Sequence, residues 1–255
     1  MIIDNPDSSV IELIESNAEL KSFIQNIDEK NRLILSKFTH ELRNPLTLVR
    51  STIQLIENQH PEVKDFKYWD QLLCDIDHTV DLMNELSIYN HCDQLSFSNT
   101  NLYTFILSIV DSMRPFASTH NITISYDAKD NCDQVASFLC DQIKLKEVLI
   151  NLIKNAIEAA YPNTSIIVDV SVAETKTISP YIDIRITNLG NPIPTNDINN
   201  IFEPFFTSKQ NGSGLGLAIS QKIVNMHGGQ LTVSQTESAV TFALRLPTNV
   251  SADAQ

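Results

Sequence analysis

The stretch Ser36-Lys37-Phe38-Thr39-His40-Glu41-Leu42-Arg43-Asn44-Pro45-Leu46-Thr47-Leu48 decides how the first third of the chain folds. Apolar residues recur at Leu35, Phe38, Leu42, Leu46, Val49, Ile53 and Ile56, in steps of three and four, the stripe of a long helix with one buried face. His40 lies off that stripe, where it is expected to meet solvent. Glu41 follows at once, able to accept the Nδ1 proton and raise the electron density on Nε2; Asn44 stands one turn on, where it can position a water. Most surface histidines are solvated bystanders, so the pair alone is modest evidence. Pro45 adds to it, because a proline inside a periodic helix removes a backbone bond and costs roughly 3 kcal/mol. His40, Glu41 and Asn44 form the candidate catalytic group.

Upstream, residues 1–30 carry Val10, Leu13, Ile14, Leu20, Phe23 and Ile27 at roughly helical spacing, which reads as a coiled-coil lead-in or as a frayed leader. Downstream, Asn58-Gln59-His60-Pro61 ends the helix near Glu57, and a second stripe follows at Phe66, Trp69, Leu73, Ile76, Val80, Met83 and Leu86. Two such helices make a hairpin, residues 31–94, that cannot bury both stripes by itself. Pairing two hairpins into a four-helix bundle predicts a homodimer; packing of the hairpin against its own C-terminal domain is the alternative.

From Leu95 the pattern changes. A helix is expected from Asn101 to Met113, stopped near Pro115, then a strand at Ile122–Tyr126, a helix from Asp141 to Ala160, and strands at Ile166–Val172 and Tyr181–Thr187. A long loop leads to a helix from Leu215 to about Met226, capped by Gly228-Gly229, and strands Gln230–Ser234 and Val240–Leu246 follow. The fold class is α+β: the helical hairpin, then an α/β sandwich over residues 95–247 with its helices on one sheet face. Residues 248–255 read as a disordered tail.

Composition bounds the chemistry. A net charge of -13 repels nucleic acid and anionic membrane, so any phosphate compound must be captured locally. Cys74, Cys92, Cys132 and Cys140 form no metal-type spacing and read as reduced thiols; no zinc site is expected. Without a basic and apolar leader or an apolar run of about 18 residues, the expectation is a cytoplasmic protein with no membrane insertion.

All six glycines lie after position 189, and Gly212, Gly214 and Gly216 crowd one short loop. That loop, Asn211-Gly212-Ser213-Gly214-Leu215-Gly216-Leu217, opens a helix, where backbone N–H groups and helix dipole suit phosphate oxygens. Ahead of it, Ile201-Phe202-Glu203-Pro204-Phe205-Phe206-Thr207-Ser208-Lys209 sets an aromatic cluster before hydroxyls and a cation, a segment able to act as a lid with Lys209 near a terminal phosphate. On the Asp141–Ala160 helix, Glu147, Asn151 and Asn155 fall at i, i+4 and i+8 beside the buried face. Asparagine is a poor helix-interior residue, and oxygens aligned this way suit Mg²⁺, with Asn155 and Asn151 as ligands. Hydrogen bonding of these amides to an adjacent loop is the plainer alternative.

Together these motifs resemble the sensor histidine kinases. His40-Glu41-Leu42-Arg43-Asn44-Pro45 is similar to their H box, Asn151-Leu152-Ile153-Lys154-Asn155-Ala156 to the N box, Phe202-Glu203-Pro204-Phe205-Phe206 to the F box, and Gly212-Ser213-Gly214-Leu215-Gly216-Leu217 to the G2 box, in that order, over residues 30 to 247. The nearest flavour is the sporulation and nitrogen-regulation branch. The resemblance implies a dimerisation and histidine-phosphotransfer hairpin (HisKA-type) and a HATPase (GHKL) domain of the Bergerat fold. ATP would bind at Glu147, Asn151, Asn155, Asn188, Gly190, Phe206, Thr207, Ser208, Lys209, Gly212, Gly214, Leu215 and Gly216, with Mg²⁺ on Asn155. His40 would take the γ-phosphoryl group, Glu41 acting as base, and pass it to an aspartate of a response-regulator receiver domain. Asn44 would orient water for dephosphorylating that regulator.

The chain departs from the family's Asp-x-Gly-x-Gly G1 box with Asn188-Leu189-Gly190-Asn191-Pro192. An amide oxygen still accepts from the adenine amine, but a neutral acceptor in place of a charged one costs about 1 kcal/mol. The alternative function is a dimeric phosphotransfer or regulator-binding scaffold with a vestigial nucleotide site; a chaperone- or topoisomerase-like ATPase leaves the His40 hairpin unexplained.

Overall fold

The computed structural model describes residues 17–91, 94–128, 137–173, 180–209 and 212–248. The chain divides into two compact units, Met1–His91 and Cys92–Gln255. Val10, Leu13 and Ile14 of the leader, Cys92 and Cys132, and positions 249–255 of the tail lie outside the described residues.

In the first unit, α1 (Ala18–Gln59) begins at Asn17, whose side chain accepts hydrogen bonds from the Glu19 and Leu20 amides at 3.1 Å. It runs unbroken through Pro45. Pro45 has no N–H to give the Glu41 carbonyl, so the chain spends one helical bond beside His40. A 3-10 turn (Pro61–Asp65) leads back to α2 (Trp69–His91), and Arg50 to Asp77 at 2.6 Å links the two helices.

Counting 100° per residue, Thr39, Leu46, Arg50 and Ile53 form one face of α1. Thr39 and Ile53 are buried, and Leu46 half-buried. The neighbouring Phe38, Leu42, Val49 and Ile56 remain exposed, Phe38 by 61%. The hairpin thus covers only part of the stripe read from the sequence. His40 lies well around the helix from these apolar positions and is exposed, as are Glu41 and Asn44.

Among the described residues, the second unit holds a mixed five-stranded sheet with three helices on one face, and a separate two-stranded pair. Its elements are β1 (Ser98–Thr100), α3 (Leu102–Thr119), β2 (Thr123–Ala128), β3 (Phe138–Cys140), α4 (Gln142–Ala159), β4 (Ser165–Ala173), β5 (Tyr181–Leu189), α5 (Gly216–Met226), β6 (Gln230–Gln235) and β7 (Ala239–Pro247). The sheet order is β2-β4-β5-β7-β6; β2 runs parallel to β4, and the other pairs are antiparallel. Alternation puts Ile182, Ile184 and Ile186 of β5 on the helix side, fully buried beside Val168 and Val170 of β4 and Phe242 and Leu244 of β7. Above them α4 buries Leu145, Val148, Leu149, Leu152, Ile153, Ala156 and Ile157, between α3 and α5.

Two expectations need correction. Helix α3 does not stop near Pro115 but continues to Thr119. Pro115 and Asp111 are exposed, so the carbonyl left without a partner can be solvated, while burial of Ala117 extends the apolar face past the proline. The antiparallel β1–β3 pair was not expected: three residues per strand are too few to show an alternation. Other boundaries moved by one or two residues, the ordinary scatter of helix and strand ends.

The turn after α5 works as expected. Gly228 has φ +71, and the Gly228 and Gly229 amides donate to the Asn225 and Val224 carbonyls, each at 2.9 Å. His227, buried at that turn, ties α5 to the start of α4: its Nδ1 donates to the Ile223 carbonyl at 2.8 Å, and its Nε2 accepts from the Asp141 amide at 3.1 Å. Asp141 in turn caps α4 through the Lys144 amide at 3.0 Å. Burial holds the His227 imidazole below its ordinary value of 6.5, partly offset by its bond to Ile223 and by the Asp141 charge. The unfolded chain then binds the extra proton, so this part of the stability is complete above about pH 6.5 and is lost as pH falls through the lower folded value. Urea denaturation between pH 7.5 and 5 is expected to show a loss of stability that is smaller in His227→Gln.

Candidate active site

The amide face of α4 meets the start of α5. Asn151 Nδ2 donates to Ser220 Oγ at 2.8 Å, and Ser220 Oγ donates back to the Gly216 carbonyl at 2.9 Å. Gly216 is required for this closeness: a Cβ there would stand 2.5 Å from Asn151 Oδ1. One turn along α4, Asn155 Nδ2 points to Asn151 Oδ1 at 3.4 Å. Asn155 Oδ1 accepts from Lys209 Nζ at 2.8 Å, and Glu158 Oε2 takes the same ammonium at 2.5 Å. Two hard oxygens therefore converge on one cation. That donor set fits Mg²⁺ as well as an ammonium, although among the described residues no group of three or more His, Cys, Asp or Glu side chains could hold a metal alone.

Helix α5 follows Leu215, buried and with no side-chain cap bond, so the amides of the first turn from Gly216 are left to an external acceptor, while the Leu215 amide donates to Ser213 Oγ at 3.1 Å. The loop before it is held close. Gly214, at φ +69, accepts from the Phe205 amide at 2.9 Å, and Phe205 itself lies at φ +67. A Cβ on Gly214 would stand 2.4 Å from the Phe205 carbonyl carbon, so only glycine fits. Thr207 Oγ1 accepts from the Lys209 amide at 3.1 Å, and a Cβ on Gly212 would fall 2.6 Å from that same oxygen. Phe206 is half-buried, and Thr207 and Ser208 are exposed.

Near the C-terminal end of α4, β5 ends in Asn188 and Leu189, followed by Gly190. Asn188 is 2% exposed, and its Nδ2 has no hydrogen-bond partner among the described residues. An orphaned buried amide costs about 1–3 kcal/mol, which asks for a ligand or water. Gly190 presses on the end of α4, with an added Cβ 2.3 Å from the Ala159 carbonyl oxygen and 2.9 Å from Asn188 Nδ2. Beyond it, Tyr161 Oη donates to Asn191 Oδ1 at 2.7 Å, and Gln235 brackets Ile193 with bonds of 2.8 and 2.9 Å to its amide and carbonyl.

Of the residues singled out in the sequence, Asn151, Asn155, Lys209 and Gly216 come together, with Gly214 and Leu215 at the same helix start. Glu147 is not in this cluster; its carboxylate pairs with Lys144 at 3.1 Å. His40, Glu41 and Asn44 belong to the first unit. The sequence reading missed Glu158, although it stands one turn beyond Asn155, and Ser220, whose hydroxyl in an apolar helix gave no separate signal.

Residues 140–250 match the family described as histidine kinase-, DNA gyrase B- and HSP90-like ATPases. Sporulation kinase C of Bacillus subtilis (strain 168) is 30% identical over 237 residues, 92% of this chain and 53% of that protein. The sensory histidine kinase/phosphatase NtrB of Rhizobium leguminosarum bv. phaseoli is 29% identical over 236 residues, 86% of this chain and 59% of that one. The chain spans little more than half the length of these curated relatives. The nucleotide-free catalytic domain of histidine kinase ThkA is 33% identical, with a TM-score of 0.54 over 60% of this chain and 97% of that one. Full-length ShkA in complex with AMPPNP, 22% identical, shares the fold with a TM-score of 0.72 over 86% of this chain and 46% of its own.

Gly190→Ala drives a methyl group into a backbone carbonyl that cannot swing aside. It is expected to destabilise the chain by about 1–3 kcal/mol, read as a lower urea midpoint at unchanged slope.

Proposed function

The chain belongs to the histidine kinases, its second unit being their ATPase-type catalytic domain, and from that premise we propose that it is an ATP-dependent protein histidine kinase of a two-component system. The observation that carries this reading is the meeting of Asn155 Oδ1 and Lys209 Nζ at 2.8 Å, beside the uncapped start of α5. Amides, a cation and open backbone N–H groups in one place suit a triphosphate better than a structural helix contact.

In the proposed reaction the His40 Nε2 lone pair forms a bond to the γ-phosphorus as the bond to the β-phosphate bridging oxygen breaks. ADP leaves with that electron pair, and Glu41 takes the Nδ1 proton. The phosphoryl group then passes to an aspartate carboxylate of a response-regulator receiver domain. Asn44, exposed one turn from His40, is assigned the water that hydrolyses the regulator's acyl phosphate.

Lys209 and the segment Gly212, Gly214, Leu215 and Gly216 are assigned to the phosphates, the Gly212 and Leu215 amides exchanging their bonds to the Lys209 carbonyl and Ser213 Oγ for phosphate oxygens, with Phe206, Thr207 and Ser208 in the covering segment and Glu147 at the edge of the site. Asn188 and Gly190 are assigned to the base. Mg²⁺, when bound on Asn155 Oδ1 with Glu158 and with Asn151 one turn behind, supplies neutralising charge to the phosphate oxygens. Two copies are proposed to pair through the exposed apolar stripe of α1. Among the described residues no helix is long and apolar enough to cross a membrane.

Incubation with γ-labelled Mg-ATP is expected to place an acid-labile, alkali-stable label on the chain, absent in His40→Gln. Asn155→Ala should weaken Mg-ATP binding at least about tenfold by calorimetry, or 1.4 kcal/mol. Steady phosphate release independent of His40 would instead mark a plain ATPase, and a chain that binds no Mg-ATP would mark a scaffold.

A further inference from the structure

On the helix side of β5 the row reads Ile182, Ile184, Ile186, Asn188. Three fully buried isoleucines are followed by one amide, 2% exposed, in register with Val240 of β7. Its Nδ2 meets no partner among the described residues. The Gly190 backbone packs close beside the buried amide, and only the lack of a side chain permits this, since a Cβ there would stand 2.9 Å from Nδ2. A polar group placed in an isoleucine row and left unmatched on its donor side calls for a partner, a water or a ligand.

A carboxylate at this position could only accept hydrogen bonds. An amide carries a donor and an acceptor on one plane, and a half-turn about its last torsion exchanges them. Against a 6-aminopurine, Oδ1 accepts from the exocyclic amine and Nδ2 donates to N1. Against a 6-oxopurine, Nδ2 donates to O6 and Oδ1 accepts from N1–H. Both pairings satisfy both halves of the amide, whereas a carboxylate meets O6 with acceptor against acceptor. Resting on the kinase reading above, we propose that Asn188 makes the base site tolerant of the purine 6-substituent, so that the chain binds 6-oxopurine nucleoside triphosphates as well as ATP.

The probes are Mg-ATP and Mg-ITP, which differ only at position 6 and N1, titrated by calorimetry into the full chain. Wild type is expected to bind the two within about threefold of each other, and Asn188→Asp to favour ATP by at least about tenfold. Asn188→Leu, similar in size, should weaken both alike. A wild type that prefers ATP tenfold or more overturns the proposal whatever the variants do, so it remains decidable even if Asn188→Asp does not fold. An unchanged ratio in folded Asn188→Asp, or unchanged affinities in Asn188→Leu, overturns it too. Binding of ATP with rejection of ITP removes this proposal alone, while a chain that binds neither nucleotide removes the kinase reading with it.

Discussion

Helix α4 is pinned by its apolar face, and that pinning aims its amide face. Seven side chains from Leu145 to Ile157 are buried over the sheet and between two other helices. Each large one contributes about 1.5–3 kcal/mol by leaving water. Rotating the helix by one residue would swing the row through about 100° and expose most of it. The helix therefore has one permitted orientation, and Asn151, Asn155 and Glu158 point where they do because the leucines and isoleucines leave no other choice. Asp141, capping α4 and bonded through its amide to His227, sets the position along the axis as the core sets the rotation.

Electrostatics adds a constraint of its own. With a net charge of -13, the chain as a whole repels a nucleotide, so attraction has to come from groups within a few ångströms. Lys209 is one such cation, and it rests on Asn155 and Glu158. Glu158 would oppose a triphosphate unless its charge were matched by Lys209 or by a divalent cation. A carboxylate in this corner therefore couples anion binding to cation binding. An amide at the same place would hold Lys209 more weakly and ask less of the metal.

Much of this was legible in the chain because two different periods carry it. The three-and-four spacing around Leu145 gave α4 and, by subtraction, its amide face; the alternation Ile182-Asp183-Ile184-Arg185-Ile186 gave β5. The glycine cluster at Gly212 to Gly216 marked a loop that needs unusual backbone, as Gly214 bears out at φ +69. What failed depends on partners distant in sequence. Pro115 reads as a stop only if its freed carbonyl must be buried, and solvent on that side removed the penalty. The β1–β3 pair joins residues about forty apart with three positions each. Glu158 gave no signal of its own in the chain, since its role depends on the loop that brings Lys209 to it. Asn188 was visible as a departure from Asp, but its orphaned donor became evident only with the sheet and Gly190 in place.

The two units differ in what they need for stability. The second closes its own core: Ile182, Ile184 and Ile186 of β5 are fully buried, and α4 is covered on both flanks. The first does not, because Phe38, Leu42, Val49 and Ile56 form a continuous apolar band on α1 that the hairpin leaves in water. A single pair of helices buries one seam, and a band about 75° away on the same helix requires another helix beside it. Under the proposed pairing of two hairpins, that band lies inside a bundle and the stability of the first unit becomes a function of chain concentration, as mass action demands of any fold completed by association. His40 lies on α1 away from the band, so association can bury the apolar residues while the imidazole stays open to a phosphoryl donor.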